Sequence, residues 1–294
     1  MQMSGCFLGF LVNVDSTILK VKLDHGFKIE AIPRDNAIEL RTSLEECSKW
    51  DAIGQMQFEE YKTETEDIYI IKKSFRYEDE EKGLSILIFV HQYIQYLENV
   101  LKLMLLFKEG GIYMSKYYIR LDPRSSPSGS SVGGIAPVYS LQKFTLNDSE
   151  ISELETFLRK TVFPFNKPFI QLAFDALIKS YTFPMRDRAL SFILLITSLE
   201  ILFSDNLNNR GKDKIIAKRV SAIIGGSVKE KRKMRDKIVK LYKKRSNIIH
   251  DGDFNKADIS DLEKVRYYVR ECIKKAIIFD LTKEELIRML AEES

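Results

Sequence analysis

Residues 185–204 form a helical stretch that is apolar almost all the way round, from Met185 through Phe192, Leu195 and Leu199 to Phe203. A helix without a polar face is stable only when other elements cover every side. This one therefore lies at the centre of a helical bundle or along a seam between two copies of the chain. The run is too short for a bilayer and contains Glu200, so it does not predict a membrane span. An unpaired carboxylate inside that apolar period is costly, which obliges Glu200 to find a cation. Arg219 and Arg245 are the candidates the sequence offers.

Other helical periods surround this one. Capping residues at 145–150 start a helix near Asp148, and Pro164 and Pro168 break the chain after it. A helix over about 167–181 follows, with Phe169, Leu172, Ala173, Ala176 and Leu177 on one face. Beyond the central helix, residues 212–224 form the next, closed by Gly225 and Gly226. A basic helix begins near Val228, a long one spans about 259–279, and a short one follows Thr282. Cys272 lies on the apolar face of the long helix, where core packing explains it.

The first half has a different rhythm. Residues 7–14, 17–23, 27–32 and 68–75 read as strands, with Asp24, His25 and Gly26 as a hairpin turn between the second and third. Residues 84–107 read as one long helix, in which His91 lies among apolar positions as a core histidine, and 113–121 as a further strand. The acidic residues 78–81 form a solvated loop or a helix start, and the Ser/Gly-rich residues 123–134 a loop that lacks the frame of a phosphate-binding motif. The fold class is thus α+β: a mixed α/β domain over 1–144, then an all-α bundle over 145–294.

Charge follows the same division. Residues 1–148 hold 17 Lys and Arg against 21 Asp and Glu, while the remainder holds 29 against 21. A basic second half suits an anionic partner, nucleic acid among them, or attraction between the two halves. Cys6, Cys47 and Cys272 are far apart and form no metal-ligand pattern, so the sequence predicts no metal site and no cofactor, and a reducing, cytoplasmic setting. The apolar start lacks a basic leader region and reads as a first strand.

The chemistry concentrates in the basic helix. From Val228 to Arg245 ten Lys and Arg stand against Glu230 and Asp236, and Arg235, Lys237, Lys240, Lys243 and Lys244 are candidate contacts to an RNA backbone. Aromatic residues able to stack on bases are sparse there, with Tyr242 the main exception. Ile238, Tyr242, Arg245 and Ile249 share one stripe by their spacing. His250 comes five residues after Arg245, about 140° round an ideal helix, so the two meet only if the helix loosens before Asp251, Gly252 and Asp253 end it. Imidazole suits proton abstraction from a ribose 2′-hydroxyl, and a guanidinium suits the charge developing on phosphate oxygens. On residue types alone, Arg245 and His250 equally suit helix-terminal cations favoured by the macrodipole.

Residues 197–204, 216–224 and 241–250 resemble, in order and spacing, the Apea-like branch of the HEPN superfamily. The resemblance covers about residues 150–285. It implies a small helical bundle and a metal-independent endoribonuclease with an Arg-x4-His motif at Arg245 and His250. Asn247 or Ser246 would assist such a site, and Glu200, by its place in the apolar period, would either hold the bundle in register as a buried ion pair or orient the site. The resemblance also implies a homodimer whose motifs face each other, an RNA substrate, and a role in toxin–antitoxin or antiphage systems. The first domain would then bind a trigger or inhibitor protein. Ser246 stands where active members of the superfamily often carry Asn, Asp or His, a departure that also fits a non-catalytic module for dimerisation or for binding RNA or protein.

Overall fold

The computed structural model describes residues 2–33, 36, 68–78, 84–121, 142–183, 187–205, 211–252, 254 and 257–292. An antiparallel sheet region is followed by a helical region, which makes the chain α+β. It divides into two compact units: Met1–Met104 with Gly110–Lys160, and Leu105–Glu109 with Thr161–Ser294. The Ser/Gly-rich loop at 123–134, the acidic residues 79–81 and Cys47 lie outside the described residues.

In the first unit, strands β1 (Gln2–Val12), β2 (Lys28–Ile32), β3 (Ile68–Glu78) and β4 (Tyr113–Leu121) form one sheet in the order β2-β3-β1-β4, all neighbours antiparallel. Central β1 is apolar on both faces, as a strand covered on both sides must be. Leu8 and Phe10 pack with Ile68, Ile70 and Tyr118 on one face. On the other, Phe7 meets Phe27 and Tyr117, and Phe27 stacks on Tyr96 of helix α1 (Leu84–Phe107).

Three expectations for this unit fail. Residues 17–23 are not a strand: Ser16–Lys20 is a 3-10 helix capped by Asp15, whose side chain accepts from the Thr17 amide at 3.0 Å. Its buried residue Ile18 and the buried Val21 that caps it are three apart, the period of a 3-10 turn rather than of a strand. Asp24, His25 and Gly26 therefore turn the chain without joining two strands, with His25 and Gly26 at φ 58° and 74°. His91 is exposed, not a core histidine.

Helix α2 (Asp148–Lys160) belongs with the sheet although its sequence reads with the helices that follow. The Phe144 amide bonds the Asn13 carbonyl, the Leu146 amide bonds the Thr17 hydroxyl, and Lys20 pairs with Asp148 at 2.7 Å. These local ties hold the entry to α2 against β1 and the 3-10 turn.

The second unit contains α3 (Pro168–Tyr181), α4 (Arg188–Phe203), α5 (Lys212–Ile224), α6 (Val228–Asp251), α7 (Ile259–Phe279) and α8 (Lys283–Glu292). Helix α4 is the centre and packs against each of the other five. Phe192, Leu195, Ile196, Leu199, Leu202 and Phe203 are fully enclosed, each such side chain stabilising the bundle by about 1.5–3 kcal/mol. Among the described residues, no helix is long and apolar enough to cross a membrane.

This core also encloses charge. Glu109 pairs with Arg270 and, at 3.6 Å, with Arg266, and accepts a hydrogen bond from the Tyr181 hydroxyl at 3.1 Å. The Arg266 guanidinium lies over the Tyr181 ring. Burial, with the Glu109 charge second, pushes the Tyr181 hydroxyl up to about 12. Replacing Glu109 by Gln leaves two buried guanidinium groups without a counter-charge, and the expected cost, read as a shift in the urea midpoint, is about 3–5 kcal/mol.

Candidate functional site

Helix α6 carries the Arg245–His250 pair. It begins with a reciprocal cap, in which Ser227 accepts from the Glu230 amide and the Glu230 carboxylate accepts from the Ser227 amide. It ends at Gly252, whose φ of 66° is the left-handed conformation that glycine adopts most readily. Between these ends the helix is continuous through Asp251 and does not loosen as the sequence reading requires. Arg245 and His250 thus stay about 140° apart round the axis.

The inward face is made by Ile238, Leu241, Tyr242 and Ile248, with Arg245 half-buried among them. Ile249, expected on this stripe, is exposed. The Tyr242 hydroxyl and Arg245 Nε are buried and have no hydrogen-bond partner among the described residues. Burial first and the Glu200 carboxylate second push the Tyr242 hydroxyl well above its usual range. The Arg245 charge opposes that rise and Asp213 adds to it. Glu200 itself pairs with Lys212 at 3.2 Å, not with either arginine. Arg219 is taken by Asp205, at 2.7 Å, and by the Phe203 carbonyl. The structure therefore gathers Glu200, Lys212, Asp213, Tyr242 and Arg245 where α4, α5 and α6 meet.

His250, Ser246 and Asn247 are exposed on the other side of α6. The five candidate RNA contacts divide into two groups. Arg235 Nε donates to the Ser221 hydroxyl at 2.8 Å, Lys237 pairs with Asp261, and Lys244 pairs with Asp261 and, at 2.9 Å, with Asp258. These three hold α6 against α5 and α7. Lys240 and Lys243 are exposed and form no ion pair among the described residues, and Lys229, Arg232 and Lys233 share that condition.

On an ideal helix, Lys229, Arg232, Lys233, Lys240, Lys243, Asn247 and His250 fall within an arc of about 100°. Asp236 is the one acid between the first and last of these lysines on that arc, and exposed Asp251 lies at its edge. Among the described residues, no group of three or more His, Cys, Asp or Glu side chains could hold a metal ion.

Tyr242 was legible as a stripe residue three positions before Arg245, but its unpaired hydroxyl was not. Lys212 and Asp213 carried no signal, because they reach the site through the turn at Gly211, remote in sequence from Arg245. No protein-family model, no curated protein and no solved structure matches the chain.

The Lys244 hydrogen bond holds the Asp258 carboxyl well below the usual carboxylate range, and the same carboxylates, Asp261 first, raise Lys244. The contribution of Asp258 is complete above the ordinary carboxylate pKa and lost as pH falls through its lowered value. That of Lys244 is complete below the ordinary lysine pKa and lost as pH rises through its raised value. The pair stabilises the fold between about pH 4 and pH 10. In urea titrations, part of the acid-side loss of stability should disappear in Asp258→Asn. Replacing both Lys237 and Lys244 by Met strands the buried Asp261 carboxylate and should cost about 3–5 kcal/mol, whereas Lys240→Gln and Lys243→Gln should stay within about 0.5 kcal/mol of the native chain.

Proposed function

We propose that this chain is a HEPN-type endoribonuclease that cuts RNA without a metal, by attack of a ribose 2′-hydroxyl on the adjacent phosphate. The observation that carries the reading is the arrangement on α6: a half-buried arginine with a free Nε–H, and an exposed histidine at the end of a row of unpaired cations. His250 takes the proton from the 2′-hydroxyl or returns one to the leaving 5′-oxygen. Arg245 holds the phosphate and offsets the negative charge that grows on its oxygens. Tyr242 lies beside Arg245 on the inward stripe of α6, and exposed Asn247 and Ser246 assist at the substrate.

Because Arg245 and His250 diverge on one unbroken helix, a complete site needs a second copy of the chain, with both helices flanking one phosphate. An antiphage or toxin role, with a trigger or inhibitor bound by the first unit in a cytoplasmic setting, accompanies this reading. The same divergence, together with Ser246 beside Arg245, favours a second reading: a non-catalytic module that binds RNA or dimerises.

Cleavage of a tRNA and mRNA mixture in EDTA separates the two. The native chain should leave 2′,3′-cyclic phosphate and 5′-hydroxyl ends, with the rate falling by about 10²–10⁴-fold in His250→Ala. Cleavage that survives in His250→Ala removes this site from consideration, and silence of the native chain with RNA binding retained selects the non-catalytic module.

A further inference from the structure

Phe254 is the feature next to this site that packing does not explain. It follows the Gly252 cap, with its amide bonded to the Gly252 carbonyl at 3.1 Å, and 61% of its surface is exposed. Burying such a ring is worth about 1.5–3 kcal/mol, which the isolated chain forgoes. It lies four residues beyond His250, no more than about 14 Å of extended backbone. The free cations run from Lys229 to Lys243 on the face that carries His250, and the distance along the helix from Lys229 to His250 is about 32 Å.

These two elements differ in what they can recognise. The cation row has charge but no aromatic side chain, so it holds a phosphate backbone without reading or stacking bases. A double-stranded RNA, recognised through phosphates and shape, suits a straight and rigid surface of that length. The chemistry at His250 has the opposite requirement. In-line attack of a 2′-oxygen needs a nucleotide free to leave A-form stacking, and a base that leaves its stack needs a new surface. An exposed phenylalanine offers one, because every base has a face that stacks on a ring.

We propose that Phe254 receives an unpaired base beside the scissile phosphate while Lys229, Arg232, Lys233, Lys240 and Lys243 hold the adjoining stem. The substrate class is then RNA in which a base-paired stem abuts an unpaired loop. This inference rests on the RNA-cleaving reading of Arg245 and His250, and the experiment separates the failure of one from the failure of the other.

The full-length His250→Ala chain is titrated with two RNAs of equal length, a stem-loop and a perfect duplex, each carrying 2-aminopurine at the same position, which is in the loop of the first. Affinity and 2-aminopurine fluorescence are read at about 0.15 M salt. The expected result is quenching with the stem-loop alone, lost when Phe254→Ala is added and retained with Phe254→Trp. The affinity for the stem-loop should fall about five- to 150-fold in Phe254→Ala. Each Lys→Gln in the row should lower the salt dependence of binding by about one unit of slope for both RNAs.

Tight binding with fluorescence unchanged by Phe254→Ala overturns the assignment of Phe254 while leaving the RNA reading intact. A change of sedimentation in Phe254→Ala without an effect on RNA places the ring in a contact between protein chains and overturns it equally. Failure of both RNAs to bind removes the RNA reading and this inference with it.

Discussion

The buried Asp261 carboxylate, held by Lys237 and Lys244, fixes how α6 is turned in the bundle. A helix that packs by apolar contacts alone can rotate by some tens of degrees at little cost, since neighbouring ridges and grooves are similar. A carboxylate that is only 1% exposed does not permit this, because losing either lysine leaves its charge less well compensated. With those two lysines directed to α7, the stripe from Ile238 to Ile248 must face the core and the arc from Lys229 to His250 must face outward. Which half of the Arg245–His250 pair is sheltered and which is exposed is decided here, several turns from the glycine that ends the helix.

Much of this was legible in advance, for identifiable reasons. The all-round apolar pattern of residues 185–204 called for cover on every side, from a bundle or from a second copy, and within the chain α4 has the bundle around it. The turn composition at Asp251, Gly252 and Asp253 marked the end of α6, which stops at Gly252. What escaped was set by partners distant in sequence. The choice of Lys212 for Glu200 depends on how α5 re-enters the bundle, and no local pattern encodes that. The β-branched and apolar composition of residues 17–23 suits a strand reading until the Asp15 cap is seen. His91 was misjudged because α1 is apolar on most sides, which hides the side that is not.

Lysines posed a separate difficulty. By composition, those between Val228 and Arg245 look alike, and a single run of charge suggests a single purpose. In the fold they divide by angle: Lys237 and Lys244 serve the bundle, whereas Lys240 and Lys243 remain free. Hydrophobic periodicity gives the rotation of a helix only approximately, and the boundary between a packing cation and a free one lies within that uncertainty.

The continuity of α6 limits how this protein can change over evolutionary time. One residue inserted between Lys237 and Lys244 would turn everything after it by about 100° relative to Asp261, withdrawing Lys244 from its partner and moving Arg245 off the sheltered side in the same step. Substitutions along the exposed arc disturb none of this. The tolerance of the segment is therefore lopsided: its outward letters are open to exchange, while its length can vary only in steps close to whole turns.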